Sequence, residues 1–189
     1  MKLGVFIGSF NPPTNAHFEI GKNLHKKYVD KVIYLPVNSK KNDLLSLDKR
    51  IMLIKKMISN CDYMMVSDIM LFHDRFNYVI LEKIKKLYND FSLYIILGSD
   101  LLEKLKTFDN YQELLQKYYF IVIPRFDIDS DLIIKRDYLK YKDKFIIYPY
   151  SSTISSSLVR KNIKEQKDFQ KLVPRSVYQE LIDNNFYQD

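Results

Sequence analysis

Leu3-Gly4-Val5-Phe6-Ile7-Gly8-Ser9-Phe10-Asn11-Pro12-Pro13-Thr14-Asn15-Ala16-His17 is the stretch whose reading decides the fold. The apolar run Leu3 to Ile7 reads as a buried strand, and Ala16 to Lys27 reads as a helix. Between them, small, polar and proline residues mark a turn. A strand that turns directly into a helix leaves backbone N–H groups unpaired at the helix start, where the helix dipole favours an anion. Thr14 and His17 stand three residues apart and share one face of the first turn. The arrangement suits a nucleotide phosphate, with His17 as the donor to it.

Outward from this unit, short β-branched or aromatic runs alternate with helical patterns. Strands are expected at Leu3 to Ile7, Lys31 to Pro36, Tyr63 to Ser67, Leu93 to Leu97, Tyr118 to Ile123 and Phe145 to Tyr148. Helices are expected at Ala16 to Lys27, Leu47 to Asn60, Tyr78 to Asn89, Leu101 to Leu105, Tyr111 to Lys117, Ser156 to Lys164 and Arg175 to Asn184. Pro174 suits the first turn of the last of these. The highly charged stretch from Asp127 to Lys144 reads as a surface excursion. This alternation predicts an α/β fold: a Rossmann-like, doubly wound, mostly parallel sheet with helices on both faces. Residues 1–189 read as one domain, without internal repeat or low-complexity linker. Open sheets of this kind bind ligands outside the carboxyl ends of their strands. That directs attention to Gly8, to Pro36 through Lys41, to Gly98 through Asp100, and to Pro124-Arg125.

Three further groups have both a bland and a functional reading. Ile154-Ser155-Ser156-Ser157-Leu158-Val159-Arg160 reads as a loop entering a helix. Its serines make a natural cap, but Arg160, always charged and planar, suits a phosphate and could grip a triphosphate opposite His17. Gly98-Ser99-Asp100 closes a buried-type strand; Asp100 suits an N-cap, and Gly98 lets a ligand approach the backbone. Lys40, Lys41 and Arg50 are either solvated or placed for charge-assisted phosphate contacts. His25 and His73 have no comparable context and read as structural or exposed.

Composition limits the function classes. Hydrophobic residues make up 47% of the 189, which argues against disorder. The net charge of +7 fits either a nucleic acid or a polyanionic small molecule. The basic residues are scattered in short pairs rather than gathered in a stripe, and abundant Tyr, Ile, Lys and Asn suggest an AT-rich genome, so the nucleotide reading is preferred. Cys61 is the single cysteine, which excludes an internal disulfide and a multi-cysteine zinc site and fits a reducing cytoplasm. No apolar run reaches the roughly 20 residues of a membrane helix, so no membrane partner is expected.

Thr14-Asn15-Ala16-His17 and Ile154 to Arg160 together resemble the paired motifs of the nucleotidyltransferase superfamily, T/H-x-G-H and I-S-S-T-x-x-R. Further segments resemble the bacterial nicotinate mononucleotide adenylyltransferase family over essentially the whole chain. Gly8 to His17 is similar to its G-x-F-D-P-x-H-x-G-H, with Asn11 for Asp and Ala16 for Gly. Ser46 to Arg50 is similar to its S-x-x-x-R. Ile96-Leu97-Gly98-Ser99-Asp100 with Phe108 is similar to its I-I-G-x-D and downstream aromatic, usually Trp. Pro174, Val177, Ile182 and Tyr187 follow its C-terminal pattern, and Asn77-Tyr78-Val79 stands for Ser-Tyr-Thr.

The resemblance implies transfer of AMP from ATP to nicotinate mononucleotide, giving the deamido dinucleotide of NAD biosynthesis and pyrophosphate. It implies catalysis by His17, Thr14 and Arg160. The ATP site would comprise Gly8, Ser9, Phe10, His17, Gly98, Asp100, Ile154, Ser155, Ser156 and Arg160, completed by the C-terminal helices from about residue 154. The acceptor would be held by Asn11, Lys41, Arg50, Tyr78, Val79 and Phe108. Mg2+ would be bound through the ATP phosphates, with no metal-ligating residues of the protein's own. A homo-oligomer stays open, as do other acceptors (nicotinamide mononucleotide, phosphopantetheine, riboflavin phosphate) and a non-catalytic nucleotide or RNA binder.

Overall fold

Six strands, β1 (Lys2–Gly8), β2 (Lys31–Pro36), β3 (Met64–Val66), β4 (Ser92–Gly98), β5 (Tyr119–Ile123) and β6 (Phe145–Ile147), form one sheet in the order β3-β2-β1-β4-β5-β6. The computed structural model describes residues 1–38, 45–125 and 128–188. All five strand pairings are parallel. The order reverses between β1 and β4, where the chain crosses from one wing of the sheet to the other; this is the crevice in which doubly wound sheets place their ligands. In register, Gly8 pairs with Pro36 and Phe6 with Ile96, so the carboxyl ends of the central strands lie side by side.

The central strands are apolar without interruption because both faces are covered. Leu3, Val5, Ile7, Ile33, Leu35, Leu93, Ile95 and Leu97 point to one face. There they meet apolar residues of α3 (Tyr78–Leu87), α4 (Ser99–Leu102), α5 (Tyr111–Lys117) and α6 (Ser130–Asp137). Phe6, Val32, Tyr34, Tyr94 and Ile96 point to the other, against α1 (Asn15–Leu24), α7 (Ser156–Lys164) and α8 (Arg175–Asp183). The helix α2 (Leu47–Met57) serves both cores, with Leu47 and Ile51 on the first and Leu53, Ile54 and Met57 on the second.

Several element bounds change: α2 ends at Met57 rather than Asn60, α3 at Leu87 rather than Asn89, and α4 spans Ser99–Leu102 rather than Leu101 to Leu105. The first helix ends at Leu24 rather than Lys27, because Lys26 adopts φ 65° and its N–H turns back to the Val29 carbonyl at 2.8 Å. The charged stretch from Asp127 to Lys144 contains a helix, α6, rather than surface loop alone. Asp129 caps it by accepting from the Leu132 N–H at 3.0 Å, and Ile133, Ile134 and Tyr138 are buried. The Tyr138 hydroxyl donates to the Leu102 carbonyl at 3.0 Å, tying this segment to α4.

Candidate active site

The turn after β1 is built around its aromatic residue. Phe10 takes φ 47° and buries its ring against Phe6, His17 and Tyr34, with centroids at 5.3, 5.0 and 5.4 Å. A Cβ on Gly8 would come within 3.0 Å of that ring. The absent side chain of Gly8 therefore makes room for Phe10, and the Phe10 side chain faces the core instead of a nucleotide.

Thr14 caps α1 and is wholly buried. Its backbone N–H donates to His17 Nδ1 at 3.0 Å, and its hydroxyl lies 2.8 Å from the same nitrogen. The imidazole thus fills the place that Glu or Gln takes in a capping box. A ring nitrogen that accepts from a backbone amide carries no proton, so the neutral ring holds its proton on Nε2. Burial, helped by the positive charge of Arg125, lowers the His17 pKa from 6.5 to about 4. His17 is therefore a neutral ring at physiological pH, with Nε2–H as its donor. Thr14 departs from its expected role: its hydroxyl is spent on His17 and does not face a phosphate.

The serine segment reaches this turn directly. Ser155 caps α7 by accepting from the Leu158 N–H at 3.1 Å, and Ser152 accepts from the Ile154 N–H at 3.1 Å. The Ser156 hydroxyl donates to the Pro12 carbonyl at 2.7 Å, and Arg160 Nη1 donates to the Asn11 carbonyl at 2.6 Å. Two motifs almost 150 residues apart in sequence thus close on one turn.

At the end of β4, Ser99 is buried and accepts the Arg125 N–H at 2.9 Å. The Asp100 carboxylate pairs with Arg125 Nε at 3.0 Å. A Cβ on Gly98 would overlap that carboxylate and lie 3.2 Å from Arg125 Nε. Gly98 therefore accommodates an ion pair in the space expected for a ligand. Arg125 is the residue that the motif reading did not select; its signal was a Pro-Arg step at a strand end.

Arg50 and Asn11 are also engaged internally. Arg50 is 2% exposed. Its Nε donates to the Leu45 carbonyl at 2.9 Å, and its Nη1 donates to the Ser9 and Val37 carbonyls at 2.8 and 2.9 Å. It braces the loops at the ends of β1 and β2 and is not open to an acceptor phosphate. Asn11 Oδ1 accepts from the Leu45 N–H at 3.0 Å and from the Tyr187 hydroxyl at 2.6 Å.

The remaining acceptor candidates lie across the sheet. Phe108 packs edge-on against Phe76 at 5.7 Å, and these two rings, with Ile7, Leu97 and Leu101, line a small apolar hollow at the carboxyl ends of β1 and β4. Tyr78 and Val79 open α3, which Asn77 caps by accepting from the Ile80 N–H at 3.3 Å; Val79 is exposed. Lys41 lies outside the described residues. Among the described residues no group of three or more His, Cys, Asp or Glu could hold a metal ion, and no helix is long and apolar enough to cross a membrane.

A family model described as Cytidylyltransferase-like matches residues 5–162. The Probable nicotinate-nucleotide adenylyltransferase of Fusobacterium nucleatum subsp. nucleatum is 33% identical over 193 residues, spanning 98% of this chain and 99% of its own length. The chain belongs to the nicotinate-nucleotide adenylyltransferase family. The Probable nicotinate-nucleotide adenylyltransferase of Acholeplasma laidlawii is 31% identical over 192 residues, covering 98% of this chain and 97% of its own length. The solved structure of Plasmodium falciparum nicotinic acid mononucleotide adenylyltransferase complexed with NaAD matches the fold with a TM-score of 0.79. It does so at 23% identity, over 98% of this chain and 97% of that one.

Proposed function

We propose that this protein transfers the adenylyl group of ATP to nicotinate mononucleotide, releasing pyrophosphate and forming nicotinate adenine dinucleotide. The observation that carries the reading is the closure of the Ser156 and Arg160 motif onto the turn that presents His17. A phosphate oxygen of the acceptor attacks the α-phosphorus of ATP. The bond from that phosphorus to the bridging oxygen breaks, and its electron pair leaves with pyrophosphate. The attacking oxygen is already anionic, so no enzyme nucleophile or general base is required. The protein's work is to align two polyanions and to place donors where charge develops.

His17 supplies Nε2–H to an α-phosphate oxygen, in the tautomer that Thr14 sets. Arg160, with one guanidinium nitrogen on Asn11, directs its remaining N–H groups to the leaving pyrophosphate, beside the Ser155 and Ser156 start of α7. In this reading residues 1–189 act as one catalytic unit, with α7 and α8 completing the ATP site. Ile154 faces the nucleoside half of ATP, Gly98 and Asp100 shape that side of the crevice through the Arg125 ion pair, and the exposed edge of the Phe76–Phe108 pair offers a flat apolar surface to the pyridine ring. Val79, at the start of α3, contributes a backbone N–H to the nicotinate carboxylate. The donors gathered here are neutral or cationic, which fits a magnesium ion held by phosphate oxygens and water rather than by a protein cage. When bound, the ion neutralises phosphate charge. The +7 charge serves these anionic substrates rather than a nucleic acid, and the lone Cys61 suits a reducing cytoplasm.

The test is pyrophosphate release with ATP and magnesium, comparing nicotinate mononucleotide, its amide and phosphopantetheine. Release that depends on the nicotinate form is the expected result. Release with another acceptor keeps the mechanism and replaces the substrate, and none with any acceptor overturns adenylyl transfer.

A further inference from the structure

The last residues of the chain return to its first turn. After α8, Asn185 takes φ 52° and Tyr187 takes φ 66°, so two of three consecutive residues sit in the left-handed region. A left-handed φ is easy for Asn and costly for Tyr, and it persists where surrounding contacts over-determine it. Those contacts are specific. The Phe186 ring is buried, with Lys49 Nζ of α2 above it at 5.2 Å from the centroid. The base of α8 is pinned to the same helix, with the Ser176 hydroxyl donating to the Lys56 carbonyl at 2.8 Å and Lys56 pairing with Glu180 at 2.5 Å.

This anchorage delivers the Tyr187 hydroxyl to Asn11 Oδ1 at 2.6 Å. Burial holds the phenol protonated above its ordinary range, against the pull of Arg160 and Arg50, so the hydroxyl donates. Asn11 is wholly buried and is the meeting point of three distant segments. Its amide oxygen takes the Leu45 N–H and the Tyr187 hydroxyl, and its backbone carbonyl takes Arg160. A shift of Asn11 therefore shifts the carbonyl on which Arg160 rests, and with it the turn leading to Thr14 and His17.

We propose that Tyr187 is a positioning residue for adenylyl transfer: through Asn11 it fixes the turn after β1 and, by that route, the aim of Arg160 and His17. Its own side chain is committed to Asn11 and contacts no reacting atom. The proposal rests on the function argued above, since it assigns Tyr187 a part in that reaction. A purely structural tether would cost stability and leave turnover alone. A positioning residue moves turnover while substrate affinity stays close to normal, because misdirected donors fail mainly in the transition state.

The test is Tyr187→Phe in the full chain, a single-oxygen change that leaves the ring packing in place. Expected is a fall in kcat of about tenfold or more, with KM for ATP and nicotinate mononucleotide within about twofold. The Tm should drop by no more than about 2–4 °C. Hydrogen exchange at the amides of residues 8–17 should speed up, with the rest of the sheet unchanged. Wild-type kcat in the variant overturns the proposal, whether or not Tm falls. If the unaltered protein releases no pyrophosphate with any acceptor, it is the functional reading that fails. The exchange measurement then decides the tether alone, and unchanged exchange over residues 8–17 overturns that too.

Discussion

His17 shows how much chemistry a capping position can carry. The Thr14 amide holds Nδ1 and burial keeps the ring neutral, so the proton stands on Nε2 without a carboxylate partner. His17→Ala should leave the protein folded and lower kcat by about 10²–10³, the cost of one donor lost from an anionic transition state. Wild-type-like turnover in a folded variant would exclude the assignment. The ring also leaves a mark on stability. Its folded pKa of about 4 lies below the unfolded 6.5, so its contribution is complete above pH 6.5 and is lost as pH falls toward 4. Urea unfolding of the free protein should show wild type losing more stability over that window than His17→Gln. Arg50 teaches the opposite lesson about residues. Its spacing from Ser46 was legible, but a sequence cannot reveal that a cation will face carbonyls rather than a ligand. Arg50→Met should cost about 2–4 kcal/mol, because it orphans the Ser9, Val37 and Leu45 carbonyls, and denaturant titration would measure it.

Among elements, the strands were legible because each central one is a continuous apolar run ended by Gly or Pro, as at Gly8, Pro36 and Gly98. α6 was not, because Ile133 and Ile134 are its only buried apolar residues and they stand among charges, too few for a helical period to show. The meeting of the two phosphate motifs was legible in kind from their serine, histidine and arginine content. The bonds that join them, carbonyls of Asn11 and Pro12 to Arg160 and Ser156, depend on backbone positions that no side-chain pattern encodes. The packing of α1 on the sheet gives a sharper test. The Tyr34 hydroxyl donates to the His17 carbonyl at 3.0 Å and passes Gly21 so closely that a Cβ there would overlap it. Gly21→Ala should therefore destabilise by about 1–3 kcal/mol, although Ala is the better helix former by about 1 kcal/mol. On a Tyr34→Phe background the penalty should shrink, and a double-mutant cycle would read the coupling. A simple gain in stability from Gly21→Ala would contradict the close approach.

At the scale of the molecule, the +7 charge comes from basic residues scattered in short pairs along the sequence rather than gathered into one run. Both substrates are anions, so KM for each should rise several-fold between about 50 and 500 mM salt while kcat changes little, as screening weakens attraction but not short contacts in the site. A salt-independent KM would show that the overall charge plays no part in capture. The sheet divides the work. The His17 and Arg160 segments lie on the face of α1 and α7, and the apolar hollow beside Phe108 lies on the face of α3 to α5. Both meet where strand order reverses. The bond from Tyr187 to Asn11 spans 176 positions and gives this architecture a history during synthesis. At roughly 5–20 residues per second, the ribosome delivers the tyrosine some 10–35 s after the asparagine. For that interval the nascent enzyme carries its histidine and its first strand but not the final fastening. The turn is thus made well before the contact that fastens it.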